Sequence, residues 1–157
     1  MQVILDIIQK KNFQIIVTIL ISVTFITYVF IDKRAHMYSR MLAGQTLITE
    51  DNIARFTQLR DATSIIELIL LMLFVLPIII FFLAKGDKRD LISLVVKSSL
   101  LLGIHILLAY VISEIIDVPS GNLLTPLLPP FSFLMTVWLI LCILGIVNFF
   151  KKIRVNH

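Results

Sequence analysis

Charge is scarce in this sequence. Asp, Glu, Lys and Arg make up 15% of its 157 residues, where a soluble domain carries about a quarter because its surface must face water. Ile, Leu, Val and Phe fill the deficit, so 59% of residues are hydrophobic and mean hydropathy reaches +1.01. A chain of this kind belongs with membrane proteins. Cysteine is nearly missing too. Cys142 stands alone, which excludes an internal disulfide and a CxxC redox pair. Catalytic signatures are also wanting: there is no HExxH, GxSxG, P-loop or Gly-rich dinucleotide turn. The chain is therefore expected not to be an enzyme. Only three histidines occur, His36, His105 and His157, in a loop, an apolar run and the last position. That scatter offers no metal spacing, and a bis-His haem on His36 and His105 would need compatible depths. The reading is of no metal and no cofactor.

What the sequence does have is four apolar runs, at 13–31, 64–84, 91–116 and 131–150, each of 19 to 26 residues. About 20 residues of helix cross a ~30 Å hydrocarbon core. Lipid offers no partner to free backbone groups, so the runs must be helices or a closed barrel, and the alternation of a barrel is absent. The expected fold is all-α: a single polytopic membrane domain over 1–157, built as a four-transmembrane-helix bundle. The first run is longer than a signal-peptide core and leads into Asp32, Lys33 and Arg34 with no small-residue cleavage site. It reads as a retained span. Ahead of it, Val3, Ile4, Ile7 and Ile8 share one helical face opposite Gln2, Asp6 and Gln9, which predicts an interfacial amphipathic segment.

The net charge of +4 is not a nucleic-acid footprint, because the basic residues cluster at the ends of the runs and read as topology signals. Nine Lys and Arg fall on the side of the termini, including Lys10, Lys11, Lys97 and Lys151. Five fall on the other side: Lys33, Arg34, Arg40, Arg55 and Arg60. This favours a multi-pass protein of the cell (inner or plasma) membrane with both termini cytoplasmic.

Residues 32–63 form the largest stretch outside the runs, expected as an extracytoplasmic loop with one short helix. Thr49 suits an N-cap with Glu50 and Asp51 in the first turn, so a helix should start near Glu50 and lead into the second span. Its stripe of Ile53, Phe56 and Leu59 either rests on the membrane or the other spans, or offers a face to a partner. Residues 123–130, apolar and Pro-rich, are expected to press against the bilayer interface.

Ionisable groups inside hydrocarbon are costly and therefore informative. Glu67, Lys97, His105 and Glu114 fall within the runs. Counted from the turn joining the second and third runs, Glu67 and His105 differ by only ~4–5 Å in height, whereas Glu114 lies ~9 Å above Glu67. A Glu67–His105 pair inside the bundle follows as the sharpest site expectation, able to favour both charged forms and relay a proton. The plainer alternative is polar glue between helices. Glu114 should reach the outer headgroups, and Lys97 should snorkel to the inner ones. Pro77 should kink the second span near the depth of Lys97.

The favoured function is a non-catalytic partner of another integral membrane protein, working by helix–helix association: an accessory subunit of a transporter or sensor, or an immunity protein against a membrane-active toxin. The layout, with four spans and both ends inside, is similar to that of immunity proteins for pore-forming bacteriocins, in arrangement alone and without a shared motif. The alternative is a small transporter or channel subunit, a homo-oligomer using Glu67 and His105. Small four-span drug exporters carry an essential acid in the first span, and residues 13–31 have none.

Overall fold

The computed structural model describes residues 8, 11–44, 49–84 and 87–155, with side chains as far as Val147. The proposed amphipathic segment, residues 1–12, lies largely outside the described residues. Four long helices dominate: α1 (Lys11–Ala43), α2 (Glu50–Leu83), α3 (Lys88–Ile116) and, after a short α4 (Ser120–Leu124) and a 3-10 turn (Thr125–Leu127), α5 (Leu128–Val155). No strand occurs among the described residues. All four long helices are long and apolar enough to cross a membrane.

Local chemistry sets their ends. Thr49 Oγ1 accepts the Asn52 N–H at 3.4 Å, capping α2, and Glu50 and Asp51 occupy its first turn where the helix dipole favours acid. That start matches the sequence expectation. Asp87 caps α3 in the same way, accepting the Arg89 N–H at 3.3 Å.

α3 stops at Asp117, whose φ of 54° is left-handed. The Asp117 N–H returns to the Ser113 carbonyl, and that of Val118 reaches the same oxygen at 3.4 Å. Glycine commonly fills such a position, because a side chain there crowds the backbone. The Asp117 carboxylate is offset only by an exposed pair with Arg40 at 3.1 Å, with side chains 60% and 89% exposed, a geometry worth little. Asp117→Gly should therefore raise unfolding stability by about 0.5–1 kcal/mol, and Asp117→Val should lower it by about 1–2 kcal/mol. Denaturation in detergent micelles reads both.

The helices are longer than the apolar runs. α1 has 33 residues and α2 has 34, roughly 50 Å each at 1.5 Å per residue, against a ~30 Å core. Residues 32–43, expected as loop, continue α1 as helix, and residues 50–63 belong to α2. The stretch between the first two spans is thus mostly an antiparallel hairpin reaching roughly 18 Å past the first apolar run. Charged residues end a hydrophobic run without ending a helix, and Lys33, Arg34 and Arg40 are good helix formers.

Buried side chains recur at helical spacing: Ile21, Phe25 and Tyr28 on α1, Leu70, Phe74, Ile78 and Phe81 on α2, and Leu102, His105, Ala109 and Ser113 on α3. α5 behaves differently. Leu134 is buried and Val137, Trp138 and Leu141 are half-buried, but every side chain from Cys142 to Val147 is exposed. Its first half joins the bundle and the described part beyond stands clear. In hydrocarbon that costs little, since lipid tails are as apolar as the side chains they would meet.

Residues 123–130 depart from expectation. Leu123, Pro126, Leu127 and Pro130 are buried within the protein, where α4 and the 3-10 turn pack against α2, α3 and α5. A change of helix type leaves some backbone groups without their usual partner, and near a membrane that is tolerated where protein covers it. The segment plugs the end of the bundle opposite the termini.

Candidate functional site

α1 carries a ladder of polar side chains, each answered from another helix. Lowest is Gln14, whose Oε1 accepts a hydrogen bond from Lys97 Nζ on α3 at 3.0 Å. Two turns further, Ser22 Oγ meets His105 Nε2 at 3.4 Å. Beyond that, the Tyr28 hydroxyl lies 2.9 Å from the Asn122 carbonyl of α4 and 3.3 Å from Glu67 Oε1 of α2. Asp32, the first residue past the apolar run, lies near the Asn122 side chain. Two further contacts tie the extension: Tyr38 donates to Asn52 Oδ1 at 2.8 Å, and Arg40 reaches Asp117.

The expected Glu67–His105 pair does not form. His105 Nδ1 lies 2.9 Å from the Leu101 carbonyl one turn back. A carbonyl only accepts, so Nδ1 carries the hydrogen and Nε2 is left to accept from Ser22 in the neutral ring. Two aromatic edges complete the pocket: Phe25 at a centroid distance of 5.3 Å and 86°, and Phe74 at 6.5 Å and 88°. Glu67 lies one layer further out, level with Tyr28. The height difference read from sequence is about one helical turn, which puts the two groups in separate layers.

Glu114 is exposed and Lys97 reaches Gln14. α2 runs unbroken through Pro77, which lines a cleft together with Lys97, at the depth expected for it. On the hairpin, Ile53 is exposed while Phe56 and Leu59 are half-buried, so the expected stripe is divided between packing and surface. Leu59 lines a shallow groove of about 460 Å³ with Arg34, Met37, Tyr38, Met41, Arg55 and Gln58.

Tyr28, Asp32 and Asn122 were not singled out from sequence. Tyr28, Asp32 and His36 stand at i, i+4 and i+8 on one face of α1, a signal readable only once α1 is known to continue past Ile31. Oδ2 of Asp32 and Nε2 of His36 are both buried without a partner. Burial raises the Asp32 carboxyl above the usual carboxylate range, while His36 and the Asn122 side chain pull it back down. His36 and Phe25, the ring beside His105, lie roughly 16 Å apart along α1, so the two histidines do not share a level. Among the described residues no three His, Cys, Asp or Glu converge to hold a metal ion.

Fold and ladder together define the class: a multi-pass, all-helical membrane protein whose spans are bridged by isolated polar pairs. No protein-family model matches the chain, and no curated protein or solved structure matches it.

Proposed function

We propose that this is a non-catalytic protein of the cell membrane, both termini cytoplasmic, which acts by associating with another integral membrane protein through its α1–α2 hairpin. One observation carries the reading. Met37, Met41 and Ile53 are 55%, 60% and 55% exposed on the parts of α1 and α2 that extend past the apolar runs. An apolar side chain facing lipid needs no explanation, but a group of them beyond the hydrocarbon does, and such groups mark association surfaces. Met37 and Met41 line the groove between α1 and α2 together with Arg34 and Arg55, and Ile53 lies outside it. Methionine and arginine are both enriched at interfaces, methionine for its adaptable, polarisable side chain. Roles as an accessory subunit or as immunity to a membrane-active toxin both fit that surface. The excess of basic residues on the side of the termini supports the orientation.

Transport is the second reading, favoured by the polar ladder along α1. Its rungs are separated by fully buried Ile21, Phe25 and Phe74, packing that argues for helix cohesion over a water path.

The test is site-specific photo-cross-linking from position 41 in intact membranes, followed by purification in mild detergent. The expected product is one integral membrane protein, reduced at least about tenfold by the triple change Met37→Ser, Met41→Ser and Ile53→Ser. The bundle's melting temperature should hardly move, since these side chains are outside the core. A cross-link to lipid alone, or one that survives the triple change, retires the reading. A cross-link to a second copy makes the chain its own partner.

A further inference from the structure

Between α1, α2 and α3, in the half of the bundle nearer Lys11, lies a cleft of about 390 Å³. That volume falls in the range of sites that enclose small ligands. The cleft is sorted along its length. Ile21, Leu73, Phe74 and Ile104 line its deep end, and Lys11, Gln14, Lys97 and Ser98 its other end. Thr18, midway, donates its hydroxyl to the Gln14 carbonyl at 2.8 Å, so its hydrogen is already engaged. From Lys97 to Ile104 the cleft follows α3 for about 10 Å.

Lys97 is the anomaly. Its backbone stands six residues inside the apolar run 91–116, its ammonium reaches back to Gln14 near the edge of the first run, and that partner is neutral. A positive charge at the margin of the hydrocarbon favours a group of opposite sign beside it. We propose that the cleft binds an anionic phospholipid, one acyl chain lying against Ile21, Phe74 and Ile104 and the headgroup phosphate meeting Lys97 and Lys11. Any apolar cleft in a bilayer meets acyl chains. Two cations at one end make this one selective, because a zwitterionic headgroup would bring its own ammonium up to the lysines. The α1–α2 hairpin plays no part, so the site stands whatever becomes of the association surface.

The test uses the full chain in mild detergent, titrated with dioleoyl phosphatidylglycerol, with dioleoyl phosphatidylcholine and with inorganic phosphate. Bound lipid is counted by native mass spectrometry and stabilisation is read as a melting shift. Phosphatidylglycerol should bind about tenfold more tightly than phosphatidylcholine, and phosphate alone should shift nothing. Lys97→Gln should remove about fivefold of that preference. Ile104→Trp, which fills the deep end from a lipid-exposed position, should weaken both lipids while keeping the ratio. If Lys97→Gln does not fold, the headgroup comparison on the unaltered chain and Ile104→Trp still decide. Equal affinity for the two lipids, full preference in Lys97→Gln, unchanged binding in Ile104→Trp, or stabilisation by phosphate alone each overturns the site.

Discussion

Phe74→Ala should lower the stability of the bundle by about 2–3 kcal/mol, read by unfolding in mixed micelles with increasing denaturing detergent. In a soluble core, removing a buried phenylalanine costs roughly 3–5 kcal/mol, part of it the transfer of ring carbons from water and part the cavity left behind. The reference state of a membrane bundle is helices already in lipid, so the transfer part fades and the packing part remains. Phe74 is 2% exposed and faces the His105 ring edge-on, within the buried core that also holds Phe25, Leu70 and Leu102. Alanine there empties the middle of the bundle. Leu68, six residues earlier on the same helix, is 54% exposed and meets lipid. Leu68→Ala should change stability by no more than about 0.5 kcal/mol. Equal losses at the two positions would mean that α2 does not pack through this face.

Tyr28→Phe should cost about 1–2 kcal/mol, since it keeps the ring and removes one hydroxyl. That hydroxyl lies between a carbonyl of α4 and a carboxylate of α2. Without it, the Asn122 carbonyl and Glu67, which share its one hydrogen, lose their donor in a half-buried setting, and leaving such groups unmet costs more than the bond itself contributes. The damage should be local as well as global. Amide hydrogen exchange over 118–127 should quicken, because Tyr28 ties the plug to α1. Ser22→Ala is the comparison. Its contact to His105 is long, at 3.4 Å, and His105 keeps its bond to Leu101, so the expected loss is under about 0.6 kcal/mol. If Tyr28→Phe proves as mild as Ser22→Ala and exchange is unaltered, the outer polar cluster does not hold the plug.

Much of this architecture can be read from one dimension, and the reason is energetic. Crossing hydrocarbon demands about 20 apolar residues with every backbone group paired, so the runs themselves announced four helices. Thr49 with Glu50 and Asp51 announced the start of α2, because capping is a contact between near neighbours. Hydropathy, however, reports where hydrocarbon ends and not where a helix ends. Asp32, Lys33 and Arg34 therefore looked like the start of a loop although α1 continues to Ala43. The hairpin that carries Met37, Met41 and Ile53 was hidden for that reason.

Chain counting from the junction of the second and third apolar runs also has a limit. It placed Glu67 and His105 to within one helical turn, and one turn decides whether two side chains meet. Which way each turns about its helix axis depends on the neighbours. Phe25 and Phe74 close around His105, while Tyr28 takes Glu67, and no spacing within α2 or α3 encodes that choice. The burial of 123–130 was equally out of reach: apolar, proline-rich backbone is at home on a bilayer surface or inside a protein, and only the gap left between α2, α3 and α5 selects between them.

By itself, then, the sequence determined that the chain is helical, that it is apolar enough to cross a membrane four times, and where one long helix begins, since each of these follows from solvation or from contacts a few residues apart. Tertiary structure alone decided which polar groups meet across helices, how far α1 and α2 extend together, that residues 123–130 form a plug, and that Lys97 stands at the mouth of a cleft. Those features rest on contacts between residues dozens of positions apart, such as Ser22 with His105 and Tyr28 with Asn122, and packing of whole helices sets them.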